Sequence, residues 1–103
     1  MRAVERFLNY IQYDTASDET SQTCPSTKKQ LVLARVLAEE MKAMGVTDAR
    51  VDADGYVYGS VPATDDTLPA IGLIAHMDVV DDAPCTPMRP RVIEHYDGGA
   101  VTL

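Results

Sequence analysis

Ala70-Ile71-Gly72-Leu73-Ile74-Ala75 runs straight into His76-Met77-Asp78, and it is the most apolar run in the chain. Pro69 precedes it, and a polar, proline-rich stretch follows. A short, uninterrupted apolar run of this kind predicts a strand buried on both faces, the central strand of a mostly parallel sheet. In open α/β sheets, chemistry gathers at the carboxyl ends of such strands. His76 and Asp78 stand at that end, two residues apart. An extended backbone sends both side chains to the same side.

Working outward toward the N-terminus, the sequence predicts a β-hairpin. Ala49, Val51 and Ala53 alternate with Asp48, Arg50 and Asp52, the period of a half-exposed strand. Asp54-Gly55 predicts a tight primed turn, and residues 56–61 return as the partner strand. Tyr56 and Tyr58 share one face of that strand, where cross-strand packing is the simpler use for a tyrosine pair. Before the hairpin, Leu33, Val36, Leu37, Met41 and Met44 trace the buried stripe of a helix. Pro25-Ser26-Thr27 opens it, with Thr27 and Gln30 spaced for a capping box, and Gly45 suits the left-handed position that stops it. Residues 14–24 are rich in Thr, Ser and Asp, show no period, and predict an exposed loop. Val4, Phe7, Leu8 and Ile11 fall on one helical face, which predicts an amphipathic helix over residues 3–13.

Downstream of Asp78, Pro84, Pro87 and Pro90 favour an irregular extended path. Residues 91–95 suggest a short edge strand, Tyr96 to Gly99 a turn, and residues 100–103 the start of another strand. A chain that stops on an apolar, β-prone run is expected to be the front of a longer one. The fold class expected is therefore α/β: two helices plus a mixed sheet, with a β-hairpin and a buried central strand. Residues 1–103 are expected to be the N-terminal part of a larger domain, with no internal repeat or linker.

Composition narrows the partners. The 103 residues are 46% hydrophobic and 24% charged, an ordinary globular balance. With no Trp and one Phe, the core must rest on aliphatic residues and Met. A net charge of −7 argues against a nucleic-acid or anionic-membrane partner, both of which require a basic face. Cys24 and Cys85 lack any metal-binding or disulfide-framework spacing and read as two unlinked thiols. Neither a secretory signal nor an apolar run long enough to span a membrane is present, so a cytoplasmic location is expected.

The pair at 76 and 78 has two readings. Zinc accepts neutral imidazole, and a ligating His usually passes its second ring N–H to a carboxylate. On that reading His76 binds a metal, while Asp78 orients the ring and raises its basicity. The plain alternative is a near-surface His hydrogen-bonded to its neighbour, with no metal. With 11 Asp and two His in the chain, a His-x-Asp arises by chance in about one such sequence in five, so the motif by itself is weak. Its place after an apolar strand is what raises it. His95 has no partner in sequence and reads as a surface or packing histidine.

Several of these pieces together carry a resemblance. The order of the first helix, Pro25-Ser26-Thr27 with Gln30, Asp54-Gly55, Leu68-Pro69-Ala70-Ile71-Gly72, His76-x-Asp78 and Ile93-Glu94-x-Tyr96-x-Gly98-Gly99 resembles the opening of the peptidase T family. These are tripeptide aminopeptidases among the zinc metallopeptidases that include the carboxypeptidase G and aminoacylase types. The resemblance runs along essentially all 103 residues, which would make up only the first part of such an enzyme. It implies a cytoplasmic exopeptidase acting on small peptides, with two zinc ions bridged by a carboxylate and a water, and it allows a homodimer. His76 would ligate one zinc, and Asp78 would be the catalytic-site aspartate that holds its ring. The bridging carboxylate, the general-base glutamate and the substrate-reading residues lie further along in the family. Met77 and Val79-Val80 depart from the family pattern, in which a small hydroxylic residue tends to follow the aspartate, and that departure bears on specificity. Two rivals remain: a related zinc amidohydrolase or dipeptidase, and a non-catalytic small α/β binding domain.

Overall fold

Helix α1 spans Ala3–Tyr10 in the computed structural model, which describes residues 1–102. Its first turn is closed by Glu5, whose carboxylate accepts the backbone N–H of Arg2 at 2.7 Å. The apolar stripe read from the sequence is present, but Val4 and Phe7 on it are exposed, and no residue of α1 is fully buried. Leu8 and Ile11 are half-buried, and polar groups add a tie to the second helix. Glu40 of the second helix accepts the Tyr10 hydroxyl and pairs with the Arg6 guanidinium at 2.6 Å.

Helix α2 spans Gln30–Ala43 and buries Leu33, Ala34 and Ala38. Burying Leu33 contributes about 1.5–3 kcal/mol. The fully buried positions are thus Leu33 and two alanines, while Val36, Leu37 and Met41 of the expected stripe are half-buried. Met44, expected in the stripe, caps the helix and is exposed. Gly45 adopts φ +83° as anticipated. With it there, the Gly45 and Val46 amides donate to Lys42 and Met41 carbonyls at 2.9 and 3.0 Å, satisfying the last turn.

Strands β1 (Thr47–Val51) and β2 (Val57–Ser60) form an antiparallel hairpin that packs on α2. Ala49 is the buried residue of β1, in keeping with the alternation. The turn differs from the primed form expected. Asp52 N–H donates to the Tyr56 carbonyl at 3.0 Å, enclosing a three-residue loop, and Gly55 lies at φ +88°. The Asp52 carboxylate accepts the Asp54 and Tyr56 amides at 3.0 and 2.9 Å, which stabilises the longer loop over the two-residue one. A bulge at Asp48, with φ +55°, sets two residues opposite Gly59. Tyr56 and Tyr58 pair at 6.3 Å between ring centres, and Arg50 lies 4.9 Å over the Tyr58 ring.

The α/β class, the two helices and the hairpin are as read; the central strand is not. Residues 70–75 form no strand, and Ile71, Leu73 and Ile74 are 86%, 94% and 100% exposed. A buried strand needs a neighbour on each edge and a layer on each face. Among the described residues the one sheet is the two-stranded hairpin, so it is antiparallel rather than mixed. The accessible surface is 8611 Å², against about 5,700 Å² for a folded monomer of this mass. The radius of gyration, 16.9 Å, likewise exceeds the about 13 Å of a packed 100-residue domain. Residues 91–95 are not an edge strand either: His95 sits in a turn at φ +53° and is exposed. No strand forms over residues 100–102, and Leu103 lies outside the described residues.

Candidate metal centre

The histidine and aspartate that end the apolar run do face each other. His76 Nδ1 lies 2.9 Å from the Asp78 backbone carbonyl and 3.2 Å from its Oδ1. Both partners are acceptors, so Nδ1 carries the ring proton, and the lone pair of the neutral imidazole is left on Nε2. The ring is exposed, with 86% of its side-chain surface open, and the Asp78 side chain is half-buried at 42%. An imidazole with its inner nitrogen donating to a carboxylate and its outer nitrogen open has the donor arrangement of a metal-ligating histidine. Among the described residues no group of three or more His, Cys, Asp or Glu side chains converges on one point. The described residues thus bring together one histidine and the carboxylate that braces it, and no third donor.

The backbone immediately after the pair is anchored at long range. Val79 N–H donates to the Thr15 carbonyl at 3.2 Å, and the Val79 carbonyl accepts the Ser17 amide at 2.9 Å. Ser17 Oγ donates to the same carbonyl at 3.1 Å. These bonds make a parallel bridge between Ala16 and Val79. The loop expected to be exposed therefore holds two of the most buried residues in the molecule, Thr15 and Ala16, at 4% and 7% exposure.

That loop is held in turn by the segment entering α2. Thr27 Oγ1 donates to the Ala16 carbonyl at 2.8 Å, and Ser26 Oγ accepts the Asp18 amide at 3.1 Å. Thr27 and Gln30 do meet, Gln30 Nε2 donating to Thr27 Oγ1 at 3.1 Å, but the capping box expected of them is not formed. The helix N-cap is Lys29, so Thr27 lies two residues ahead of the capping position, and its hydroxyl donates to the loop carbonyl instead. The helix starts at Gln30 without a side-chain cap. Lys29 pairs with Asp14 at 2.9 Å, and this ion pair holds the Asp14 carboxyl below its ordinary range, helped by the Ala16 amide. Asp14, Lys29 and the stretch from Asp81 to Thr86 line an open cleft of about 370 Å³ beside the bridge. Both thiols are free, as expected: Cys24 is exposed and Cys85, in the cleft wall, is half-buried. His95 joins none of this.

The long-range bonds of Thr15, Ser17 and Thr27 were not legible in the sequence. A run rich in Thr, Ser and Asp looks the same whether its hydroxyls meet water or a distant backbone. The one local signal is Asp14, whose Oδ1 accepts the Ala16 amide at 3.2 Å in a turn that orders the loop.

No family model matches the chain. Individual relatives do. The chain is 48% identical over 101 residues to a peptidase T of Geobacillus thermodenitrificans, covering 97% of this chain and 25% of that protein. It is 48% identical over 103 residues to a peptidase T of Caldanaerobacter subterraneus, covering 99% and 25%. Against a peptidase T of Desulfitobacterium hafniense it is 50% identical over 101 residues, covering 97% and 24%. The chain thus spans about a quarter of the length of the curated relatives it matches, and it is similar to them along nearly all of its own residues.

Proposed function

We propose that this chain is the N-terminal part of the catalytic domain of a zinc-dependent aminopeptidase that releases the N-terminal residue of tripeptides. The observation that carries the reading is the 44–50% identity to peptidase T proteins across 97% or more of the chain. The braced histidine supports it, because it supplies the kind of donor such an enzyme needs.

In this reading His76 is a ligand to one of two zinc ions through Nε2. Asp78 is the catalytic-site aspartate that fixes the ring and its tautomer. Zinc, when bound, supplies Lewis-acid polarisation of the scissile carbonyl and makes a nearby water more acidic. The residues here orient one donor and form one wall of the site. Because no described cluster of three donors exists, the 103 residues are inactive alone, and the full-length protein carries the activity. Small peptides are the substrates, the enzyme works in the cytoplasm, and a homodimer is its assembly. No helix of the structure is long and apolar enough to cross a membrane.

The test is an assay of the intact protein against tripeptides, dipeptides and N-acyl amino acids, before and after chelation. The expected result is release of the N-terminal residue from tripeptides, abolished by the chelator and restored by zinc. Preference for dipeptides or N-acyl amino acids would move the protein to a related amidohydrolase. No hydrolysis of any of them would leave a non-catalytic binding domain.

A further inference from the structure

Asp78 and Val79 share a peptide unit, so whatever fixes Val79 also fixes where the His76–Asp78 pair begins to turn away from the chain. Among the described residues, Val79 is tied to another part of the molecule by the bridge to Thr15 and Ser17. That loop segment is clamped by side chains of the α2 entry: Thr27 on Ala16, Ser26 on Asp18 and Lys29 on Asp14. Thr27 is central, because its bond lands on Ala16, the residue opposite Val79 in the bridge. The direction of that bond is unambiguous, since a carbonyl accepts and the hydroxyl supplies the proton. Gln30 Nε2 donates to one of the two lone pairs of that oxygen at 3.1 Å.

The geometry points to Thr27 as a positioning residue for the metal site, acting through Ala16 and Val79 on the His76–Asp78 pair, and this rests on the metal-ligand reading of His76. It touches neither substrate nor metal. Its work is to keep one bridge formed, so that the carbonyl and carboxylate of Asp78 meet the ring of His76 at a constant angle. Groups bonded directly to a ligand, as Asp78 is to His76, typically alter metal affinity about 10–100-fold when removed, and Thr27, which acts from behind that contact, has a smaller effect.

The experiment uses the intact protein and four variants: Thr27→Val, Thr27→Ser, Ser17→Ala and His76→Ala. Two quantities are read, amide hydrogen exchange at Val79 and zinc affinity by calorimetry. Thr27→Val is expected to speed exchange at Val79 at least about tenfold while Ala38 in α2 keeps its protection, and to weaken zinc binding by about 3–10-fold, less than the loss of a group bonded to the ligand itself. Thr27→Ser restores the hydroxyl and is expected to recover both. Ser17→Ala removes the Oγ bond to Val79 alone and is expected to weaken zinc in the same direction by a smaller factor. Zinc affinity in Thr27→Val within twofold of the parent, with His76→Ala losing zinc, overturns this inference and leaves the ligand reading standing. His76→Ala binding zinc as tightly as the parent overturns the ligand reading, and this inference with it. Equal loss of protection at Ala38 and Val79, in Thr27→Val and Thr27→Ser alike, would assign Thr27 to the helix as a whole and also overturn it.

Discussion

The Nδ1 atom of His76 is held from two directions by one residue, the carbonyl of Asp78 at 2.9 Å and its carboxylate at 3.2 Å. The carbonyl bond survives any substitution at 78 that leaves the backbone in place, whereas the carboxylate bond does not. The two residues are therefore separable by mutation.

Replacing the ring removes the donor. In the intact protein, the proposed function leads us to expect His76→Ala to lose most bound zinc and most activity, measured by metal analysis of the purified protein alongside peptide turnover. Full occupancy with full activity would rule out the ligand role.

Replacing the carboxylate leaves the backbone bond and the donor. Asp78→Ala is expected to keep the fold and to depress kcat about 10–100-fold. Circular dichroism checks the first point and steady-state kinetics the second; turnover near that of the parent would show that the carbonyl alone orients the ring.

A third prediction concerns α1. Burial, reinforced by the hydrogen bond to the Glu40 carboxylate, pushes the Tyr10 hydroxyl above its ordinary range. A group whose pKa is raised on folding binds its proton more tightly in the folded state. Its contribution is therefore complete below about pH 10, the unfolded value, and is lost as pH rises through the folded value. Denaturant midpoints of the intact protein are expected to fall on the alkaline side of pH 10, and Tyr10→Phe to flatten that fall. An identical alkaline slope in the two proteins would place the titrating group elsewhere.

Gly59 gives a fourth. A Cβ at this position would meet Val46 Cγ1 at 2.6 Å and would collide with Met41 Cε. The methionine tip can swing aside, but the branched valine is stiff. Gly59→Ala is expected to destabilise the protein by about 1–3 kcal/mol through overpacking of the hairpin on α2. Adding Val46→Ala should recover part of the loss. Unchanged thermal stability in the single variant would mean that the hairpin lifts from the helix at no cost.

How far the residues announce this arrangement depends on the range of the forces involved. The α2 helix, its stop at Gly45, the hairpin over 47–60 and the contact between His76 and Asp78 were all readable, because each is set by neighbours a few positions apart. The same locality misplaced the details of turn and cap. Two-residue and three-residue hairpin loops differ by which amides the Asp52 carboxylate accepts. Whether Thr27 sits at the helix N-cap or two residues ahead of it, where it reaches a loop carbonyl, is the other such choice. Neither choice has a periodic signature.

What the amino-acid order determined by itself is the α/β character, the helix and hairpin, and a histidine braced by the aspartate two residues on. Backbone periodicity and short-range hydrogen bonding suffice for all of these. Only the tertiary structure decided that Thr15 and Ala16 are buried and that Val79 is anchored to them. It also decided that the run from Ile71 to Ile74 lies open to solvent. Burial is a property of what packs against a segment, and an apolar run carries the demand for a partner without specifying where that partner comes from.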